Sequence, residues 1–116
     1  MLLIEDSADV TDALRILFEH HGYRVSTAAC VAEAVQVGVH DTPDVVLLDV
    51  SLQRGEDGLD VLARWRECGI TGPRVLAITG HADDVTRERC AAAGCEDMLL
   101  KPVPTQELVA RVASLR

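Results

Sequence analysis

The sequence predicts an α/β domain in which helices cover both faces of a parallel sheet. Short apolar runs alternate five times with longer amphipathic stretches along the 116 residues. Two of the runs, 45–48 and 75–78, are apolar at every position, which is typical of strands buried on both faces. This alternation favours βαβ units, and the length fits a single domain, which we expect to span residues 1–116.

The first half of the chain predicts three strands and two helices. A strand over 2–4 precedes a helix over about 8–21, which Ser7 caps and Gly22 ends. A strand over 23–27 and a helix over 31–39 follow, and the run 45–48 forms a third strand that ends at Asp49. Val10, Leu14, Leu17 and Phe18 recur at three- and four-residue steps along the first helix, and the second presents Ala32, Val35 and Val39 on one side.

The second half repeats the pattern after a loop of turn-forming residues at 53–58. A helix over about 58–67 is expected to bury Leu59, Leu62 and Trp65. The strand 75–78 ends at Thr79, a helix over 83–93 ends at Gly94, and the strand 98–100 ends at Lys101. A last amphipathic helix over 105–115 carries Leu108, Val109, Val112 and Leu115.

Composition excludes several functions. The net charge is −8 and Lys101 is the single lysine, so we expect no nucleic acid to bind through this domain. No apolar run approaches the ~18–20 residues of a membrane span, and the N-terminus lacks the pattern of a signal peptide. We therefore expect a cytoplasmic protein without membrane contact. The four cysteines show no zinc spacing, and we expect them to be reduced thiols.

Charged and hydroxyl side chains follow the predicted strands. Glu5 and Asp6 follow the first strand, Asp49 and Thr79 end two others, and Lys101 follows the last. Carboxyl ends of parallel strands share one edge, where ligands bind. Two unit charges ~4 Å apart repel by about 4 kcal/mol at an effective dielectric of about 20, so three carboxylates require a cation. Oxygen ligands at an incomplete site favour Mg²⁺. A metal beside a lysine and a hydroxyl suits phosphoryl transfer, with the central Asp49 as nucleophile.

These residues, in this order, resemble the receiver domain of two-component response regulators over essentially the whole chain, in the manner of the chemotaxis regulators. The matching segments are 3–7, 43–49, 57–59, 78–80 and 100–102. The separations also fit, since Thr79 lies 30 residues and Lys101 lies 52 residues after Asp49. The resemblance implies a flavodoxin-like, doubly wound sheet of five parallel strands in the order 2-1-3-4-5 with five helices.

The resemblance also implies a role for each site residue. Asp49 accepts a phosphoryl group from a phosphohistidine of a sensor histidine kinase or phosphotransfer protein. Asp6, Asp49 and the backbone carbonyl of Ser51 bind Mg²⁺ directly, whereas Glu5 acts through a metal-bound water. Lys101 pairs with a phosphoryl oxygen, and its bond to Pro102 is expected to be cis. The hydroxyl of Thr79 moves onto the phosphate, and that motion switches the surface formed by the last strand and its flanking helices. Such a domain is a signalling module that assists its own phosphorylation and dephosphorylation, and not an enzyme acting on outside substrates.

Some positions depart from the usual receiver pattern. Met98 stands where many receivers carry Tyr or Phe, and either fills the core or modifies the coupling from the threonine to the surface. Gln53 replaces a common proline, in a loop that looks one residue longer than is typical. Glu5 in place of Asp should keep the metal site working, and Ser51 and His81 flank the expected phosphate.

The sequence leaves open how the domain passes its signal on. Arg87, Asp97, Glu107 and Arg111 fall near positions that make ion pairs between molecules in regulators with winged-helix outputs, which points to a homodimer. The alternative is that these are solvated helix charges.

Three other functions are weighed against the receiver interpretation. A degenerate receiver acts only as an unphosphorylated binding scaffold, but every site residue is present. An aspartyl-nucleophile phosphatase of the haloacid-dehalogenase type places a second Asp two residues after the first, where this chain has Ser51. A flavodoxin-like electron carrier needs a phosphate-binding loop after the first strand, and the acidic segment 5–9 is unsuited to that.

Overall fold

The computed structural model describes residues 1–52 and 55–115 and contains five strands and five helices in strict alternation. Gln53 lies outside the described residues. The elements, in chain order, are β1 (Leu2–Ile4), α1 (Ala8–His20), β2 (Ser26–Ala28), α2 (Val31–His40), β3 (Val45–Asp49), α3 (Leu59–Glu67), β4 (Arg74–Thr79), α4 (Asp84–Ala93), β5 (Asp97–Leu100) and α5 (Thr105–Ser114). All strands are parallel, in the order β2-β1-β3-β4-β5, and the predicted topology is therefore confirmed.

The sheet separates two apolar clusters because successive side chains of a strand point to opposite faces. Val46 and Leu48 of β3 pack with α2, α3 and the buried Cys90 of α4. Val45 and Leu47 of the same strand pack on the other side with residues of α1 and α5. Every residue of β3 is buried, as a central parallel strand requires. The strand ends at this buried position, so its last residue, Asp49, is fixed by the core beneath it.

The helix ends follow the predicted signals. The Ser7 hydroxyl accepts a hydrogen bond from the amide of Val10 at 3.4 Å, which caps α1. Asp83 caps α4 by accepting from the amide of Thr86 at 2.7 Å, and hydrogen bonding from the Thr86 hydroxyl, together with this amide, lowers the pKa of the Asp83 carboxyl. Gly94 ends α4 with a φ of 97°, a conformation that side chains with a Cβ rarely adopt. No helix among the described residues is long and apolar enough to cross a membrane.

The side of α2 that carries Ala32, Val35 and Val39 is not its buried side. Ala32 and Val39 are exposed, and the helix instead buries Val31, Ala34 and Gly38. The reason is the indole of Trp65 in α3: a Cβ built on Gly38 would lie 2.3 Å from its Nε1 atom. The smallest residue of α2, Gly38, therefore faces the largest side chain of α3.

Two smaller differences occur at the β1–β2 side of the molecule. The strand β2 begins at Ser26, three residues later than predicted, and Tyr23 instead packs edge-on against Phe18 with ring centroids 5.5 Å apart. Val10 of α1 is 43% exposed, although it recurs at helical spacing with the apolar residues of that helix.

Candidate functional site

The carboxyl edge of the sheet brings four of the predicted side chains together. One carboxylate oxygen from each of Glu5, Asp6 and Asp49 lies within 4.8 Å of the others. The ammonium nitrogen of Lys101 lies 2.9 Å from Oδ2 of Asp49 and 3.8 Å from Oε2 of Glu5. The carboxyl ends of β1 and β3 supply the acids, and the segment after β5 supplies the cation. The result is an acidic pocket with one bound cationic side chain.

Asp49 lies at the centre of this pocket and is almost completely buried, with 5% of its side chain exposed. Oδ1 accepts a hydrogen bond from the amide of Ser51 at 3.0 Å, and Oδ2 accepts from Lys101. Both carboxylate oxygens therefore have a donor, which fixes the orientation of the carboxylate. The amide of Gly58 donates to the carbonyl of Val50 at 2.8 Å and closes the loop that follows β3.

The surroundings of Glu5 in the pocket raise its pKa. Its side chain is 10% exposed, and burial, which penalises the charged form, is the main reason that its pKa rises to about 7. The carboxyls of Asp6 and Asp49 raise this pKa further, while the amide of Ser7 and the ammonium of Lys101 oppose the rise. The pocket thus has more acidic groups than its single lysine neutralises.

Thr79 ends β4 and its side chain is buried, with 1% of the residue exposed. Its hydroxyl accepts a hydrogen bond from the amide of His81 at 3.0 Å and donates to the carbonyl of the same residue at 3.3 Å. The hydroxyl is therefore engaged by the loop after β4. The carbonyl of Thr79 accepts from the amide of Lys101 at 2.8 Å, and the bond from Lys101 to Pro102 is cis, as the resemblance implied.

The other predicted residues lie away from the acidic pocket or at its rim. Ser51 follows Asp49 by two residues, is exposed, and pairs with Asp57 in an isolated antiparallel bridge. Met98 is half-buried and packs against the apolar cluster on the α2–α3–α4 side of the sheet, as the core-filling interpretation expects. Asp97, the first residue of β5, pairs with Arg111 of α5 within one molecule. Arg87 and Glu107 make no ion pair within residues 1–52 and 55–115.

Sequence reasoning missed two features of the site. The guanidinium of Arg89 in α4 binds the carboxylate of Asp57, across a separation of 32 residues for which no pattern in the sequence gives a signal. Gly58 was recognised only as part of a motif. A Cβ on this residue would lie 2.1 Å from the carbonyl oxygen of Asp49, so the loop needs a glycine for space.

A doubly wound sheet with a carboxylate cluster and a lysine at its carboxyl edge defines the structural class, and comparison with known proteins gives the family. Residues 1–113 match the family model described as the response regulator receiver domain. The chain is 37% identical over 117 aligned residues to "Response regulator MprA" of Mycobacterium leprae, covering 99% of this chain and 50% of that protein. The protein of the same name from Mycolicibacterium vanbaalenii is 38% identical, with 99% and 49% covered.

Solved structures give the same result. A response regulator from Burkholderia pseudomallei, described with a phosphorylated aspartic acid, a calcium ion and citrate, superposes with a TM-score of 0.84 at 25% identity, covering 96% of this chain and 64% of that one. The chemotaxis protein CheY4 of Vibrio cholerae superposes with a TM-score of 0.89 at 22% identity, covering 99% and 96%, and supports the fold.

The chain belongs to the response regulator receiver domain family. It is a signalling domain of the two-component phosphorelay. These matches do not favour the scaffold or the phosphatase alternative. The chain spans about half the length of the MprA proteins that it matches.

Proposed function

We propose that Asp49 is the phosphoacceptor of this receiver and that it takes its phosphoryl group from a phosphohistidine of a sensor histidine kinase or phosphotransfer protein. The supporting observation is the position of the Asp49 carboxylate, which is buried, hydrogen-bonded to Lys101 and surrounded by Glu5 and Asp6. The related Burkholderia protein carries a phosphorylated aspartic acid and a calcium ion, which is consistent with this role.

We also propose that the acidic pocket holds Mg²⁺ through Asp6, Asp49 and the backbone carbonyl of Ser51, with Glu5 acting through a water. The donor set fits, because carboxylate and carbonyl oxygens are the ligands that Mg²⁺ prefers, and because three carboxylates lie within 4.8 Å of one another beside a single lysine. When bound, the metal supplies positive charge to the phosphoryl oxygens.

In the proposed reaction, a carboxylate oxygen of Asp49 bonds to phosphorus while the phosphorus–nitrogen bond of phosphohistidine breaks. The imidazole nitrogen leaves with the electron pair of that bond. Lys101, already 2.9 Å from Asp49, then pairs with a phosphoryl oxygen and stabilises its charge. The domain in this way assists its own phosphorylation. Attack of water on the same phosphorus then breaks its bond to the Asp49 oxygen, which releases inorganic phosphate and restores the free carboxylate.

The proposed switch begins at Thr79. Phosphorylation adds a charge approaching −2 and three acceptor oxygens, and the Thr79 hydroxyl leaves the His81 backbone to donate to one of them. Because the amide of Lys101 is bonded to the carbonyl of Thr79, this motion reaches the surface formed by α4, β5 and α5. The effect of Met98 on this coupling stays a prediction.

Incubation of the chain with acetyl phosphate and Mg²⁺ is expected to add one phosphoryl group, detected by intact mass. With EDTA in place of Mg²⁺ the adduct should fall to background, because the acidic pocket then repels the phosphate. Equal labelling with and without EDTA would contradict the metal proposal. Absence of any adduct with Mg²⁺ would contradict the phosphoacceptor proposal.

We further propose that residues 1–116 form one cytoplasmic receiver domain that does not contact nucleic acid or membrane, since its net charge is −8.

Phosphorylation is proposed to pair two copies through α4, β5 and α5. The helices and strand of this surface carry both signs of charge, at Arg87, Asp97, Glu107 and Arg111. The Asp97–Arg111 pair of one molecule can exchange partners between two. Sedimentation should then show a dimer only after acetyl phosphate treatment; a phosphorylated chain that remains a monomer would contradict this.

A further inference from the structure

The described parts of the loop between β3 and α3, residues 50–52 and 55–58, pair with each other beside the acidic pocket. Ser51 and Asp57 face each other in an antiparallel bridge. The amide of Leu52 donates to the carbonyl of Glu56 at 3.1 Å, and Gly58 closes the loop onto Val50. The backbones of Ser51 and Asp57 are therefore linked, so that a displacement of Asp57 displaces Ser51.

The side chain of Asp57 is held from two directions. Oδ1 accepts a hydrogen bond from the amide of Leu59 at 3.0 Å, at the start of α3. Oδ2 binds the guanidinium of Arg89, which projects from α4. This ion pair is partly shielded, with 30% of the Asp57 side chain and 48% of the Arg89 side chain exposed. Arg89 thus connects the loop that carries Ser51 to α4, a helix of the surface formed by α4, β5 and α5.

The neighbouring residue gives the loop a further attachment. Oε1 of Glu56 accepts from the amide of Val31 at 3.1 Å, at the first turn of α2. The N-cap residue of that helix, Cys30, makes no side-chain capping bond, so Glu56 satisfies an amide that the helix leaves free. This bond anchors the loop to α2 but gives it no connection to α4, which only Asp57 makes among these contacts.

We propose that Asp57, held by Arg89, is a positioning residue for the magnesium site, acting through the backbone of Ser51. This inference rests on the proposed function, in which the Ser51 carbonyl binds Mg²⁺. Neither Asp57 nor Arg89 touches the reacting atoms. Groups that orient a metal ligand change metal affinity without binding the metal, and the Ser51–Asp57 bridge provides that route here. Because coupling between two equilibria is reciprocal, Mg²⁺ binding in turn favours the Asp57–Arg89 pair and stabilises the position of α4.

Loss of the Arg89 charge and loss of its positioning contact should change the affinity for Mg²⁺ in opposite directions. A substitution of Arg89 therefore distinguishes the two effects. By Coulomb's law, removing a cation close to the pocket should strengthen the binding of Mg²⁺. Removing a residue that positions a ligand should weaken it. Arg64 provides the matched control, since it is an exposed arginine on α3 and makes no ion pair in the described part of the chain.

The test is a calorimetric titration of the whole chain with MgCl₂, for wild type, Arg89→Gln, Arg64→Gln and Arg89→Lys. We expect Arg89→Gln to bind Mg²⁺ about 2- to 5-fold more weakly than Arg64→Gln, the range that follows from a partly exposed ion pair. Arg89→Lys, which keeps the cation, should restore at least half of that loss. In an Asp57→Asn background, Arg89→Gln should cause no further weakening, because the pair is already broken.

The outcomes separate the inference from the function on which it rests. If Arg89→Gln binds Mg²⁺ as tightly as Arg64→Gln, or weakens binding equally in the Asp57→Asn background, the positioning role is refuted. A purely structural role would lower the thermal midpoint of the metal-free protein and leave the magnesium affinity unchanged, which also refutes it. If the wild-type chain does not bind Mg²⁺, the proposed metal site itself is wrong.

Discussion

Replacement of Asp49 with asparagine is expected to abolish phosphorylation by acetyl phosphate, so that intact mass shows only the unmodified chain. The amide lacks the charged oxygen that must bond to phosphorus, and it removes one of the three carboxylates of the acidic pocket. We expect the variant to remain folded, because the loss of one negative charge relieves repulsion in a pocket where burial and the neighbouring acids already raise the pKa of Glu5.

Asp44→Asn is the control for this experiment. Asp44 is an exposed residue directly before the same strand, and the substitution makes the same chemical change at the opposite end of β3. It should be phosphorylated to the wild-type extent. Labelling of Asp49→Asn as readily as wild type would show that another residue accepts the phosphoryl group. Circular dichroism of both variants should match wild type, which excludes unfolding as the cause of any loss.

The sequence was sufficient to predict that Glu5, Asp6, Asp49 and Lys101 lie together, because these residues are at strand ends. In a parallel sheet the carboxyl ends share an edge, so the residues that follow apolar runs are brought together whatever the details of the loops. Asp49 and Lys101, 52 residues apart, meet at 2.9 Å for this reason. The strand order came from family resemblance, since alternation alone gives βαβ units without arranging them.

The features that sequence did not predict depend on single contacts between distant elements. The buried face of α2 is set by Trp65, which fills the space over Gly38, and apolar periodicity gives no signal for a buried glycine. The pairing of Arg89 with Asp57 joins α4 to the loop before α3 across 32 residues of sequence. Periodicity describes one helix at a time, whereas these contacts require knowledge of what the partner helix presents.

Gly58→Ala is expected to have the second largest effect on this protein, although it adds one methyl group. The backbone of Gly58 has φ −57° and ψ −29°, values that any residue adopts. The difficulty is space, because the new Cβ would lie 2.1 Å from the carbonyl oxygen of Asp49 and 3.0 Å from a methyl group of Leu48. Backbone must therefore move, and overpacking of this kind costs about 1–3 kcal/mol, occasionally more. Urea unfolding should show this loss of stability.

The same substitution should also slow phosphorylation, because the displaced group is the backbone of the proposed phosphoacceptor and the loop that carries Ser51. Gly72→Ala is the matched control: a Cβ there meets nothing within 4 Å, and we expect its stability to stay within about 1 kcal/mol of wild type. If Gly58→Ala has the same urea midpoint and the same phosphorylation rate as wild type, then the loop accommodates the added methyl group without loss of stability. In that case close packing of the loop against β3 would not be what holds Asp49 in place, and the hydrogen bonds from Ser51 and Lys101 would have to do so alone.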